Sequence, residues 1–189
     1  KGKGEEQLIS TLAIRTMSKA IYSPDNVGHY GLGFKFYSHF TSPIRRYPDV
    51  MVHRLLQKYL DGAKGTNVEE LNEQCKHTSA REKLATEAER ASIKYKQVEF
   101  MKDKVGEIFT GVISGVSDFG IFVEVKETKC EGLVRLKTMT DDSFFFDEKD
   151  FAVKGRRNRA VLRMGDEVTI KVLRADLSKK QLDFDMIDY

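Results

Sequence analysis

The spacing of apolar residues changes at Val105, and that change restricts the chain to a helical part followed by a β-rich part. Before it, Ile9, Leu12, Ala13, Met17, Ala20 and Ile21 recur at three and four, which predicts an amphipathic helix from Glu5 to Tyr22, stopped by "SPDN". Gly28, Gly31 and Gly33 then alternate with aromatics, a pattern for irregular backbone held by large side chains. Pro48 and Asp49 suit the first turn of a second helix, with Val52, Leu55, Leu56 and Tyr59 on its apolar face. Thr66 with Glu69, and Ser79 with Glu82, have capping-box spacing, so two further helices are expected to start there. In the last one, Leu84, Ala88, Ala91, Tyr95 and Val98 form a narrow seam for packing on another helix.

After Val105 the segments "EIFTGVISGV", "FGIFVEV", "EGLVRL", "DEVTIKVLRA" and "KQLDFDM" are short, rich in β-branched and aromatic residues, and separated by turn residues. Five such strands predict a small barrel. The stretch from Lys137 to Gly165 is too long for a hairpin and falls where OB-folds carry an extra helix or loop. The fold class read from the sequence is therefore α+β, with a helical part over 1–100 and a five-stranded barrel over 105–187.

Composition excludes several function classes. Thirty-two Lys plus Arg against 29 Asp plus Glu leave a net +3, so a nucleic-acid surface has to come from local clustering. Cys75 and Cys130 have no CxxC partner, which gives neither a zinc site nor a disulfide framework and fits a reducing, cytoplasmic setting. His29, His39, His53 and His77 lack zinc-site spacing and are expected to pack or hydrogen-bond. No apolar run approaches the roughly 18 residues of a membrane span. The chain starts without Met and enters a helical pattern almost at once, as a piece of a longer protein would.

The segments "GEIFTGVISGVSDFGIFVEV", "EGLVRL" and "GDEVTIKVLRADLSKKQLDFDM" resemble the S1-type RNA-binding domain, an OB-fold. Upstream, "HYGLGFKFYSHFTSPIRRYPDVMVHRLL" resembles the closing part of the RNB catalytic domain of the ribonuclease II and ribonuclease R exonucleases, and in that family an S1-type domain follows directly. The "HTSAREKLATEAERA" helix and the "DKVGEIFTGVIS" junction look closer to the ribonuclease R branch. The resemblance implies a parent that hydrolyses RNA processively from its 3′ end with magnesium, releasing nucleoside 5′-monophosphates in the cytoplasm.

Within that resemblance, Arg45 matches an arginine that contacts RNA phosphate near the cleavage site. A planar guanidinium suits this role because it holds two phosphate oxygens at once. Ser42 and Pro43 would start the turn that aims it, and Arg46 and Tyr47 are its RNA-side neighbours; the alternative is that Arg45 and Arg46 pair with surface acids such as Asp49. Glu82 and Glu89 are both candidates for acids near the active centre. The family's metal-binding aspartates lie upstream of the glycine-aromatic segment, where this chain offers only Glu5, Glu6 and Asp25. Its magnesium ligands are thus expected outside the chain, which would be inactive alone.

On the barrel, Phe119 and Phe122 match the stacking pair of the family's nucleic-acid face. Arg135 stands where the family commonly has His, and Asp176 and Lys180 match its far edge. The Phe144–Phe146 run is expected to bury at least one ring, and the "KGRRNR" loop at 154–159 either steers RNA or is simply solvated. Two rivals stay open. One is a binding protein that keeps the fold without catalysis, and the other is a barrel used for protein interaction.

Overall fold

The computed structural model describes residues 9, 10, 13, 14 and 16–189. Contacts divide the chain within the long second helix: Ser18–Ala88 form one compact unit, and Glu89–Tyr189 belong to the other.

In the first unit, helix α1 (Tyr47–Leu60) begins with Pro48 and Asp49 in its first turn, as the spacing predicts. Helix α2 (Val68–Lys102) is one unbroken element of 35 residues rather than two. Its cap is Asn67, whose Oδ1 accepts from the amides of Glu69 at 3.0 Å and Glu70 at 3.3 Å, so Thr66 is not the capping residue. Ser79 sits inside the helix and donates to the Cys75 carbonyl at 2.9 Å, a back-bond that satisfies the hydroxyl without ending the helix.

The first predicted helix is shorter than expected. Its described residues are helical only as far as Thr16, and 18–22 are irregular; Leu12 lies outside the described residues. The glycine-aromatic segment is irregular, with a single 3₁₀ turn at Tyr30–Leu32, and only some of its rings hold it, His29 lying edge-on to Tyr37 at 4.6 Å and Phe40 against His53 at 4.2 Å. Tyr30, Phe34 and Phe36 are exposed, while Asn26 ties the ends by donating to the Lys35 carbonyl at 2.8 Å.

The second unit is built on five strands closed in the order β1 (Ile108–Val116), β2 (Gly120–Val125), β3 (Glu131–Arg135), β8 (Gln181–Asp188) and β7 (Glu167–Asp176). All pairs are antiparallel except β3 with β8, where Val134 faces Phe184. This is the OB-type barrel the sequence predicts. Alternation sends Ile113, Ile121, Val123, Ile170, Val172 and Phe184 into the core. Only the C-terminal end of the α2 seam packs here, and its partner is the barrel rather than another helix. Val98 and Met101 are fully buried in the barrel core, whereas Leu84 is exposed. Lys94 reinforces the join by donating to the Glu131 carbonyl at 2.6 Å.

The long interruption is neither helix nor loop. It folds as a second antiparallel sheet, β4 (Phe144–Asp147), β5 (Ala152–Gly155) and β6 (Val161–Arg163), after a 3₁₀ turn at Leu136–Thr138. Val153 and Leu162 join the core from its inner face.

Candidate nucleic-acid interface

The outward face of β2 and β3 follows from the same alternation. Ile121, Val123 and Val125 point inward, so Phe122 and Glu124 point out; in β3, Val134 points inward and Leu133 and Arg135 point out. A side chain at Gly120 would meet the Val134 carbonyl at 2.5 Å, so only glycine lets β2 start this close to β3. Ser117 closes the turn before it, donating to the Gly120 carbonyl at 2.8 Å. Phe119 is thereby left 55% exposed at the strand entrance. Its ring meets that of Phe122 edge-on at 5.9 Å, and neither ring belongs to the core.

Arg135 lies opposite Gly120 in the β2–β3 register, which brings it to the same end as the phenylalanines. Its Nη2 donates to Asp183 at 3.2 Å, a residue from β8 that sequence reasoning missed. Alternation along β8 was the available signal, since Leu182 and Phe184 point inward on either side of Asp183. Asp176 and Lys180 lie at the β7–β8 turn. The Asp176 carboxylate accepts from the Ser178 hydroxyl at 2.6 Å and the Lys179 amide at 3.0 Å. These bonds, the hydroxyl first, hold its carboxyl below the usual range. Lys180 is exposed in the left-handed region at φ 53°.

In the first unit, the turn ahead of α1 presents Arg45. The amides of Arg45 and Arg46 bond to the Ser42 carbonyl at 3.3 and 3.0 Å, closing a tight turn whose tip carries an exposed Arg45 side chain. Fully buried Asp49 holds this turn from beneath. Its Oδ2 accepts from the Ser42 amide at 2.7 Å and from Arg46 Nη2 at 2.9 Å. Burial is the largest influence on this carboxyl and opposes ionisation, but the Ser42 amide and the Arg46 guanidinium outweigh it and lower the pKa. Arg46 is turned inward, donating also to His39 Nδ1, so its guanidinium serves the turn rather than solvent. Tyr47 stays exposed.

His39 continues the cluster edge-on to Tyr22. Tyr22 receives the Ser79 hydroxyl as acceptor for its amide at 2.9 Å and donates its own hydroxyl to Glu82 at 2.5 Å. Burial, and then the Glu82 carboxylate, push the phenol up to about 12. Glu82 thus joins the chain of contacts that ends at Arg45. Glu89 is exposed and makes no side-chain hydrogen bond among the described residues.

Two family models match in this order: the RNB domain over residues 1–62 and the S1 RNA binding domain over 102–186. Ribonuclease R from Aquifex aeolicus is 44% identical over 191 residues, covering 100% of this chain and 27% of that protein. The chain is homologous to ribonuclease R. The Thermotoga maritima ribonuclease R is 40% identical, covering 95% of this chain and 26% of that protein. Ribonuclease R of Mycoplasma genitalium superposes in its apo form with a TM-score of 0.86 at 30% identity, over 99% of this chain and 30% of the other. Its complex with ribose methylated single-stranded RNA gives 0.85. The chain thus spans about three tenths or less of these relatives.

This ribonuclease R homologue offers, among the described residues, no group of three or more His, Cys, Asp or Glu placed to hold a metal ion. Three histidines make hydrogen bonds: His39 with Arg46, His53 with the Phe40 carbonyl at 2.7 Å, and His29 accepting from the Leu32 amide at 3.1 Å. No described helix is long and apolar enough to cross a membrane. Pairing of Arg46 with Asp49 is the alternative the sequence offered, although Asp49 is buried and not on the surface; the residues that sequence reasoning missed, Tyr22 and Asp183, act through partners distant in sequence.

Proposed function

We propose that the barrel binds single-stranded RNA through Phe119, Phe122 and Arg135, and that the chain belongs to a larger ribonuclease R-type exonuclease. That parent would act from the 3′ end, release nucleoside 5′-monophosphates and work in the cytoplasm. The observation that carries this reading is the pair of outward phenylalanines beside an exposed guanidinium, on a barrel matching the S1 RNA binding domain. The single-stranded RNA complex of the M. genitalium enzyme supports it. The functional division is 1–100 for the RNB part and 105–187 for the S1 part.

In the RNB part, Arg45 grips a backbone phosphate and stabilises the negative charge that develops on it. Asp49 and Arg46 position that arginine, and Glu82 is the nearer of the two acids through Tyr22 and His39. Magnesium, when held by the parent's own carboxylates, would supply the activated water and steady the leaving oxygen. Asp176 and Lys180 border the barrel face, the lysine as a phosphate contact.

Fluorescence anisotropy with 5′-labelled single-stranded RNA tests the barrel. Phe119→Ala with Phe122→Ala is expected to weaken binding by ~1–3 kcal/mol per lost stack while the fold survives, because neither ring is in the core. Affinity that is unchanged in the double variant, or insensitive to salt, would instead favour a barrel used for protein interaction.

A further inference from the structure

The inserted sheet carries one face that the barrel interface does not use. Cross-strand pairing places Phe145 opposite Lys154 and Lys154 opposite Val161, while Phe146, Val153 and Leu162 turn to the other face against the core. Phe145 is 38% exposed, and the Arg156 guanidinium lies over its ring at 5.6 Å from the centroid. With Lys154, Gly155, Arg159 and Val161 they line one shallow groove.

The cations around this groove fall into two groups. Lys154 is held by Asp147 and Asp150, and Arg157 by Asp142, so their charges are compensated inside the fold. Arg156 and Arg159 have no carboxylate within ion-pair distance among the described residues. The loop bearing them is built, not loose. Buried Asp142 accepts from the amides of Arg157 and Asn158, each at 2.8 Å, and Asn158 Oδ1 accepts from the Ala160 amide at 2.9 Å. A side chain at Gly155 would stand 2.0 Å from Asn158 Oδ1, so the loop closes down on a bare backbone there. Arg159 occupies the left-handed region at φ 57°, where the Cβ of an L-residue is crowded and glycine or asparagine is favoured. The chain keeps a guanidinium there despite that crowding.

We propose that Phe145, Arg156 and Arg159 form a second single-stranded RNA site on the inserted sheet, with one base stacked on the Phe145–Arg156 pair and adjacent phosphates held by the two arginines. The proposal rests on the RNA-binding reading of the barrel. An exposed ring, a stacked guanidinium and uncompensated positive charge match a base joined to phosphates. An acidic protein segment would use the charges but not the stack.

The test uses the 189-residue chain and a 5′-labelled oligouridylate of about 20 nucleotides, longer than the ~4–16 nucleotides one OB-fold covers. The variants are Phe145→Leu with Arg156→Gln and Arg159→Gln, and separately Phe119→Ala with Phe122→Ala, each checked for an unchanged melting temperature. The first is expected to weaken binding at least about five-fold, the loss of one stack, and to lower the slope of log affinity against log salt by about 1.4, or 0.7 for each phosphate contact removed. An unchanged affinity and slope in that variant, with binding still lost in the Phe119 and Phe122 variant, overturns the second site and leaves the barrel reading intact. No binding by the unaltered chain overturns both.

Discussion

Asp49 and Asp142 show how a buried carboxylate can present an exposed arginine. Each accepts backbone amides from a tight turn, and the turn carries at its surface a cation the carboxylate does not neutralise: Arg45 in one case, Arg156 and Arg159 in the other. The amides of Asn158, Arg157 and Ser143, opposed by burial, bring the Asp142 carboxyl down to about 2. A depressed carboxyl stabilises the fold above its unfolded value of ~3.9, and that contribution is lost as pH falls through the folded value. Asp142→Asn should therefore lower the melting temperature at pH 7, with the gap to the native chain closing between about pH 4 and pH 2. A gap that persists at the acid end would mean the amide bonds do not depend on the charge. At Arg45 the expectation concerns turnover: Arg45→Lys in the full-length parent should cut it at least about ten-fold with little change in melting, because lysine keeps the charge but loses the bidentate grip. Arg45 itself was legible in the sequence. Asp49 read as a helix-start acid and a surface partner for the arginines, because its burial and its bond to Ser42 depend on the turn having closed.

At the level of elements, local signals located the strands well and misjudged two longer features. Each barrel strand carries its own alternation, so five short segments sufficed to find all five. The Ser79–Glu82 spacing, in contrast, is equally compatible with a helix interior, where Ser79 bonds back to Cys75 and Glu82 receives Tyr22. The inserted sheet escaped notice because its strands are only three or four residues long and its turns are charged. The start of β2 offers a direct test of element packing. Gly120→Ala forces a methyl against the Val134 carbonyl and the Leu133 side chain, and should cost ~1–3 kcal/mol in denaturant unfolding. A neutral substitution would mean that β2 and β3 can separate there without loss.

For the whole molecule, the decisive prediction is an inactive chain. Purified protein supplied with magnesium is expected to release no nucleoside monophosphate from labelled RNA while still binding it, since the chain spans only 27% of the Aquifex aeolicus ribonuclease R it resembles. Metal-dependent release would overturn the proposed division of labour between this chain and the rest of its parent. The order of parts, helical and then barrel, and the family likeness are written in the chain's residues alone, because periodicity and short motifs are properties of neighbouring residues. It took the folded chain to make α2 continuous, to turn Arg46 inward to Asp49 and His39, to bring Arg135 to Asp183, and to lay an aromatic under Arg156 on a separate sheet. Those outcomes depend on which groups lose water together, and residues far apart in sequence become neighbours only when the chain closes.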